Sequence, residues 1–462
     1  MARREGLGGR VGRGARLAGT GVRSAAGLAA AKARQLTGGD ADPEEFHRAT
    51  ADILVNVLGE MKGAAMKLGQ LLSFVDVDLP PDVRSIYHDA LASLRDSAPP
   101  MDPALIEQVV AEEFGASANA IFAEWHREPI AAASIGQVHA ARLDDGREVV
   151  VKVQYPGVAE AVSADLRNAE AFSPLARIIS PHLEVEPLVE ELRERVGDEL
   201  NYEREANYQR AFANRYDGHP FVHVPEVVAD MCRGRVLVSE RVRGRTFNDI
   251  AERGTDEERQ RLGEIIFRYA FGTIERFRLF NGDPHPGNYL YEDDGRVAFL
   301  DYGSVKMFSR ERFQHMQRMN QTVKQGDPDE VVQRLREAGF LPPGVEVDAE
   351  LMYEWWQLYM RPVLAEQPFT FTPEFATEVI RSTTDPRSKY LKVLRPLNLP
   401  PDYLLLNRIH FGINSVLGRL RASNDWREIR AEYVEDAPPA TPLGEQDRKW
   451  WETREPVYDP PA

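Results

Sequence analysis

The sequence contains almost no cysteine and no long apolar run. Cys232 is the only cysteine among 462 residues, so no internal disulfide can form and no zinc site can be built from several cysteines. The chain has no stretch of about eighteen or more apolar residues, so the sequence predicts no transmembrane helix. The scarcity of cysteine is typical of a protein in a reducing compartment, and we expect a cytoplasmic location.

Basic residues are outnumbered by acidic ones. The chain has 57 Lys and Arg against 73 Asp and Glu, a net charge of −16 that argues against nucleic acid as a partner, because phosphate contacts need a basic surface. The exception is residues 1–39, which carry eight Lys or Arg and one acid, Glu5. Three interpretations of this arm remain open: a flexible tail, a transit-like peptide, or a segment in peripheral contact with an anionic membrane.

A helix is predicted from about residue 42 to residue 74, where apolar residues recur every three or four positions. Lys67 and Gln70 lie with Gly63 on a stripe beside the apolar face. From periodicity alone, a solvated helix edge is a better interpretation of this stripe than a binding site.

Strand patterns begin near residue 123, and one of them contains a lysine. Lys152 lies within the apolar run Val149–Val153, and a buried lysine is costly without an anionic partner. Either Lys152 lies on the exposed face of an edge strand, or it meets a carboxylate of the helix predicted over residues 187–214. That helix contains several candidates, and the pattern does not choose among them: Glu199, Glu203 and Glu205.

The most informative segment follows a helix predicted over residues 256–280. Asp283 and Asn288 are five residues apart, and an apolar strand then leads to the triplet Asp301-Tyr302-Gly303. Phosphoryl transfer from ATP uses a carboxylate to orient the acceptor, and an amide oxygen and a second carboxylate to hold Mg²⁺. The spacing is that of the catalytic loop and metal motif of protein kinases.

Four motifs, in order, resemble those of the ABC1/ADCK/UbiB (AarF-like) family of atypical kinases over roughly residues 45–430. Lys67-Leu68-Gly69-Gln70 matches the KxGQ signature, and Ala131-Ala132-Ala133-Ser134 resembles the alanine-rich loop that replaces the kinase glycine loop. The segment ELNYEREAN at 199–207 resembles the ExD helix, and NGDPHPGN with DYG matches the catalytic and metal motifs.

The resemblance implies an α+β, protein-kinase-like fold of two lobes, with a helical extension across the cleft. The expected organisation has five parts: a basic, flexible arm at 1–41, the helical extension with the KxGQ motif at 42–122, a small β-rich N-lobe at 123–243, a helical C-lobe at 244–435, and a Pro-rich tail at 436–462.

The resemblance also implies roles for individual residues. Asp283 would be the catalytic-loop acid, and Asn288 and Asp301 the ligands of Mg²⁺. Lys152 would hold the α- and β-phosphates of ATP, with Glu205 as its ion-pair partner.

Further nucleotide contacts are implied around these residues. Lys67 and Gln70 would project from the extension toward the nucleotide, with Glu199 nearby, so the family match favours a functional stripe over a solvated edge. The alanine loop, Ala131, Ala132, Ala133 and Ser134, would lie beside the nucleotide. The backbone from Glu240 to Val242 would form the adenine hinge.

Two positions depart from the family pattern. Asn201 stands where the ExD motif has its Asp, so a charge is lost and any metal or Lys67 contact there is in doubt. Asn281 stands where a His is usual at the start of the catalytic loop, and we expect a looser loop that keeps its chemistry.

The expected function is therefore that of an atypical kinase or ATPase that binds Mg²⁺-ATP and supports isoprenoid-quinone or lipid metabolism rather than phosphorylating proteins. Alanine restricts the backbone approach to phosphate that glycine allows, and the extension would occupy the space of a protein substrate. Two alternatives are a small-molecule phosphotransferase of the aminoglycoside or choline kinase type and a nucleotide-gated lipid-binding scaffold.

Overall fold

The computed structural model describes residues 101–133, 135–160, 197, 200–385, 387–398 and 401–454, with the side chains of 401–405 and 408 excepted. The predicted arm, most of the predicted extension with Lys67 and Gln70, and the residues Ser134 and Glu199 lie outside these ranges. Among the helices of the described ranges, none combines the length and hydropathy needed to cross a bilayer.

The chain divides into two compact units. The larger contains Ala111–His126, His139–Lys152 and Asn201–Ala462, and the other contains the remaining residues. In the other unit, Arg127 donates to Glu107 over 2.8 Å and the N–H of Met101 donates to Gln137 over 3.1 Å.

Mixed helices and short strands confirm the α+β prediction. The first part of the chain contains α1 (Pro103–Phe114), α2 (Ala118–Ile121), β1 (Glu124–Ala133), β2 (Gly136–Arg142), β3 (Glu148–Gln154), α3 (Tyr202–Tyr216), β4 (Val222–His223) and β5 (Val236–Glu240). A four-stranded sheet has the order β1-β2-β3-β5.

The sequence also predicts strands at 222–228 and 235–242 that complete this sheet, and the first of these segments is divided between two sheets. Val222 and His223 pair in parallel with β9 in another sheet. Beyond Pro225, which has no N–H to donate to a ladder, Val227 bridges Ser239 of β5 and the N–H of Val228 donates to the main-chain oxygen of Val238 at 2.9 Å.

The helix predicted over 187–214 does not run continuously through Asn201. Asn201 has a non-helical φ of −108° and caps α3, because its side chain accepts the N–H of Arg204 at 2.9 Å. Asn and Asp are both strong N-cap residues, so an Asp at this position could make the same cap.

The middle of the chain contains the segment with Asp283, Asn288 and Asp301. It contains β6 (Arg245–Thr246), α4 (Phe247–Arg253), α5 (Asp256–Phe277), β7 (Leu279–Asn281), β8 (Tyr289–Tyr291), β9 (Val297–Phe299) and β10 (Val305–Met307). A second sheet has the order β4-β9-β8-β6, and β7 pairs with β10. Helix α5 begins with a capping box between Thr255 and Glu258 and ends at Arg278, whose φ of 56° turns the chain into β7.

The rest of the chain is mainly helical. It contains α6 (Arg310–Gln325), α7 (Pro328–Glu337), α8 (Ala349–Tyr359), α9 (Arg361–Leu364), β11 (Phe369–Thr370), α10 (Pro373–Thr384), α11 (Leu391–Leu394), α12 (Pro401–Leu420), β12 (Ser423–Asn424), α13 (Trp426–Val434) and α14 (Pro442–Glu452). Helix α14 lies in the segment predicted to be a Pro-rich tail.

A buried aspartate docks α14. Asp447 accepts hydrogen bonds from the Nε2–H of His219 at 3.0 Å, from Arg276 at 2.6 Å and from the indole N–H of Trp451 at 3.1 Å. His219 Nδ1 accepts the N–H of Val222 at 3.1 Å, so this ring is neutral with its proton on Nε2. Burial opposes the charge, but the bond from His219 and the charge of Arg276 lower the pKa of Asp447 below its usual value.

We predict that this network makes the protein acid-sensitive. The lowered pKa of Asp447 means that its stabilisation is present at neutral pH and is lost as the pH falls below about 4, the pKa of an unfolded Asp. Burial also lowers the pKa of His219, so protonation below about pH 6.5 acts in the same direction. Urea unfolding at pH 7 should show that Asp447→Asn costs about 3 kcal/mol, because a buried pair loses one charge.

Asp436 provides the matched control, since it is exposed and pairs with Arg448 only at the surface, at 3.3 Å. Asp436→Asn should change the free energy of unfolding by less than about 1 kcal/mol. Two results would contradict the proposed role of Asp447. One is an equal loss of unfolding free energy in the two variants, and the other is a stability of Asp447→Asn that falls below about pH 4 as steeply as that of wild type.

Candidate active site

Lys152 lies between two carboxylates. Its Nζ donates to Glu205 Oε1 at 2.7 Å and lies 3.5 Å from Asp301 Oδ2 and 5.0 Å from the centre of the Tyr202 ring. Burial favours the neutral amine, but the charges of Asp301 and Glu205 outweigh it and raise the pKa of Lys152 well above its ordinary value. Lys152 is therefore a charged side chain held in place by two anions.

The register of β3 and α3 explains why these groups meet. Val151 and Val153 are fully buried on either side of Lys152 in the strand sequence. On α3, Tyr202, Glu205 and Gln209 are buried at three- and four-residue spacing, while Glu203 is exposed. Among the described glutamates of α3, Glu205 is thus the one that contacts Lys152, which the sequence pattern left open.

The Asp301-Tyr302-Gly303 turn is fixed by backbone and aromatic contacts. The Gly303 N–H donates to Asp301 Oδ1 at 2.9 Å, and a Cβ on Gly303 would lie 3.6 Å from Glu205 Oε2, so the turn passes close to the Glu205 carboxylate. The Tyr302 side chain is fully buried, packs against Phe212 at 5.0 Å between ring centres, and accepts the hydroxyl of Tyr269 at 3.0 Å. Tyr302 therefore anchors the turn that presents Asp301.

The side chain of Asn288 stabilises the loop from Asp283 to Asn288. Its Nδ2 donates to Asp283 twice, to the main-chain oxygen at 3.1 Å and to Oδ2 at 3.2 Å. Its main-chain oxygen accepts the N–H of Leu300 at 3.1 Å, which holds Asn288 next to the strand that leads to Asp301. The five-residue spacing between Asp283 and Asn288 thus lets the Asn288 amide fold back onto Asp283.

Asn281 does not loosen the loop, contrary to the expectation from the sequence. Its Nδ2 donates to the main-chain oxygen of Asp301, and its Oδ1 accepts the N–H of Asp283 at 3.2 Å. A side chain with both a donor and an acceptor can bridge two backbones in this way. Asn281 thus ties the loop around Asp283 to the Asp301-Tyr302-Gly303 turn.

A glycine of α12 allows the loop to pack closely. A Cβ on Gly412 would lie 2.3 Å from Cγ of Pro284, the residue after Asp283. Ile409 and Ile413 of the same helix line a small cavity of about 20 Å³ that Asp283 also lines. The sequence offers no signal for Gly412, because the contact is between segments more than a hundred residues apart.

The sequence also predicts nucleotide contacts at the alanine-rich segment and at Glu240. Ala131, Ala132 and Ala133 form the end of strand β1 rather than a loop, and they belong to the smaller unit. The carboxylate of Glu240 pairs with His223 at 3.2 Å, and its N–H donates to the main-chain oxygen of Glu226 at 2.8 Å. The hinge role of Glu240 to Val242 stays a prediction.

The donor set near Asp283 fits Mg²⁺. Asp301 and the amide of Asn288, the two predicted ligands, offer oxygen atoms, which are the ligands that this hard cation prefers. The Asn288 amide points its Nδ2 at Asp283, so its Oδ1 is the atom that such a cation would take. One carboxylate and one amide would leave the remaining positions to water and phosphate oxygens, as Mg²⁺ usually requires.

Comparisons with known proteins agree on one family. The ABC1 atypical kinase-like domain matches residues 93–335. The chain is 32% identical to the rat protein "Atypical kinase COQ8B, mitochondrial" over 63% of this chain and 55% of that protein. It is 33% identical to "Probable protein kinase UbiB" of Aeromonas hydrophila over 61% of this chain and 53% of that protein. The chain thus spans about half the length of these curated relatives.

A solved structure is also similar. The structure of Rv3197 from Mycobacterium tuberculosis, in complex with erythromycin, matches with a TM-score of 0.61 at 31% sequence identity. The match covers 84% of this chain and 96% of that chain.

We predict that Gly412→Ala disturbs the site through Pro284. In an open helix this change would stabilise the protein by about 1 kcal/mol, because alanine is the better helix former. Here overpacking against Pro284 should cost about 1 to 3 kcal/mol and displace the residue beside Asp283. Urea unfolding should show a net loss of stability, and any release of phosphate from ATP should fall about tenfold or more.

Gly234→Ala is the control, because a Cβ there would meet nothing within 4 Å. It should leave both measurements near wild type. A Gly412→Ala protein that is more stable than wild type and equally active would show that the Pro284 contact does not constrain the loop.

Proposed function

The chain belongs to the ABC1 family of atypical kinase-like proteins, and from this premise we propose that it is an ATP-dependent phosphotransferase or ATPase. The observation that carries the proposal is the charged Lys152, held at 2.7 Å by Glu205 and 3.5 Å from Asp301. A buried ammonium with two anionic neighbours suits the binding of phosphate oxygens, and two carboxylates around one lysine exceed what a structural ion pair needs.

Each side chain of the site then has a distinct task. Lys152 holds the α- and β-phosphates, and Glu205 orients Lys152 from the buried side. Asp283 orients the attacking hydroxyl or water and accepts its proton, while the bonds from Asn288 and Asn281 fix the position of Asp283. A Mg²⁺ ion bound through Asp301 and Asn288 would neutralise the charge of the phosphates.

We further propose that the acceptor is small or lipid-like, and that the activity supports isoprenoid-quinone or lipid metabolism. The relatives named COQ8B and UbiB, together with the motifs at Lys67 and Asp283, support this assignment over a soluble small-molecule phosphotransferase. Contact with an anionic membrane through the basic residues of 1–41 would bring the site to such an acceptor, and it requires no spanning helix.

The direct test is phosphate release from Mg²⁺-ATP by the full chain. Asp283→Asn should lower the rate by about 100-fold or more, because the position that takes the proton is lost. The melting temperature should stay close to that of wild type, since an amide fits the same space.

Asp293→Asn is the matched control, in an exposed turn of the same segment. It should hydrolyse ATP at the wild-type rate. If wild type and Asp283→Asn release phosphate equally, the proposed catalytic role is wrong.

A further inference from the structure

The side chain of His223, on β4, lies between two carboxylates from different segments of the larger unit. Its Nδ1 is 2.8 Å from Glu292 Oε2, and its Nε2 is 3.2 Å from Glu240 Oε2. The side chains of His223 and Glu292 are only 13% and 12% exposed, so water screens their interaction less than that of a surface pair. The catalytic roles proposed above do not use this cluster.

The geometry determines the charge of the His223 ring. An ionised carboxylate can only accept a hydrogen bond, and a neutral imidazole has a single N–H to donate. Both ring nitrogens face carboxylate oxygens, so both carry a proton and the ring is an imidazolium. Burial opposes this charge, but the hydrogen bonds to Glu240 and Glu292 outweigh it and raise the pKa of His223 to about 9. His223 is therefore a cation at neutral pH.

The groups around the ring fix each carboxylate from a second side. Glu292 Oε1 is 3.4 Å from Arg296, whose Nε donates to Asp294 at 2.7 Å, and the charge of the ring also reaches Asp294. Glu240 Oε2 also accepts the main-chain N–H of the exposed residue Glu226 at 3.2 Å. Acidic groups thus outnumber the guanidinium here, and the imidazolium offsets part of that excess.

Glu240 connects the ring to the strand beside Lys152. It is the last residue of β5, and β5 lies next to β3, the strand of Lys152, in the first sheet. The N–H of Arg241 donates to the main-chain oxygen of Glu148 on β3 at 3.1 Å. Residues 240–242, the predicted adenine hinge, are therefore attached to β3 on one side and to His223 on the other.

Glu292 connects the ring to the hairpin of β8 and β9. Strand β8 begins directly after Asn288, and β9 ends two residues before Asp301. His223 also lies in register with Ala298 of β9, because β4 and β9 pair in parallel. His223 thus joins, through its two ion pairs, the strand beside Lys152 and the hairpin between the two predicted ligands of Mg²⁺.

From this geometry we propose that His223, as an imidazolium, is a positioning residue for the nucleotide. It holds residues 240–242 against the β8–β9 hairpin, so that one nucleotide contacts this segment, Lys152 and the metal ligands together. The inference rests on the proposed function, because it concerns the binding of Mg²⁺-ATP. When the ring loses a proton, one carboxylate loses its donor, the segment is no longer held, and ATP binds less tightly.

The test is the dissociation constant of Mg²⁺-ATP, measured by calorimetry on the full chain between about pH 7.5 and pH 10. Wild-type affinity should fall about 3- to 10-fold as the pH rises through about 9, because a charge-assisted contact is lost. Lys152 stays charged in this range, since its pKa lies well above its ordinary value. His223→Gln should bind about 3- to 10-fold more weakly than wild type at pH 7.5 and should lack the step. His223→Arg, a cation throughout, should bind more tightly than His223→Gln and also lack the step.

Glu292→Gln is a test that keeps the histidine. The amide has the shape of the carboxylate but removes one anion from the ring, so the pKa of His223 falls. The step in affinity should move to lower pH by about one unit or more. A step that stays near pH 9 in Glu292→Gln, or that persists in His223→Gln, would come from another group and would overturn the proposal.

His126→Gln is the matched control, because His126 is exposed on β1. It should show both the affinity and the step of wild type. Absence of magnesium-dependent ATP binding by wild type would refute the proposed function and this inference with it. Binding by wild type with no step near pH 9 would overturn the inference alone.

Discussion

The Lys152–Glu205 ion pair is the interaction on which the candidate site depends. A lysine between two buried valines needs an anion, and α3 supplies one on its buried face. The same glutamate lies beside the turn that carries Asp301, since a Cβ on Gly303 would lie 3.6 Å from its Oε2. Removal of this carboxylate would leave a buried ammonium beside Asp301 alone.

The loop around Asp283 is fixed by a separate set of contacts. Asn288 closes the loop from within, Asn281 ties it to Asp301, and Gly412 lets Pro284 approach α12. The groups that hold the loop are two amides and a glycine rather than charged side chains. The carboxylate of Asp283 is therefore positioned by neutral amides and close packing.

Much of the site could be predicted from the sequence because its motifs are local. The spacing of Asp283, Asn288 and Asp301 encodes a loop and a strand, and the capping box at Thr255 marks the start of the helix before them. Contacts between distant segments could not be predicted. Burial selects Glu205 over Glu203, Val222 pairs with β9 in another sheet, and Asn201 interrupts a helix whose composition looked continuous.

The most direct measurement of the central claim is the calorimetric affinity for Mg²⁺-ATP of wild type, Lys152→Met and Glu205→Gln. The account predicts measurable binding by wild type, at least a tenfold loss in Lys152→Met, because a charge-assisted contact to phosphate disappears, and an intermediate loss in Glu205→Gln. Lys449→Met, at an exposed position on α14, should bind as wild type does. Equal affinities for wild type and Lys152→Met, or no magnesium-dependent binding by wild type, would contradict the account.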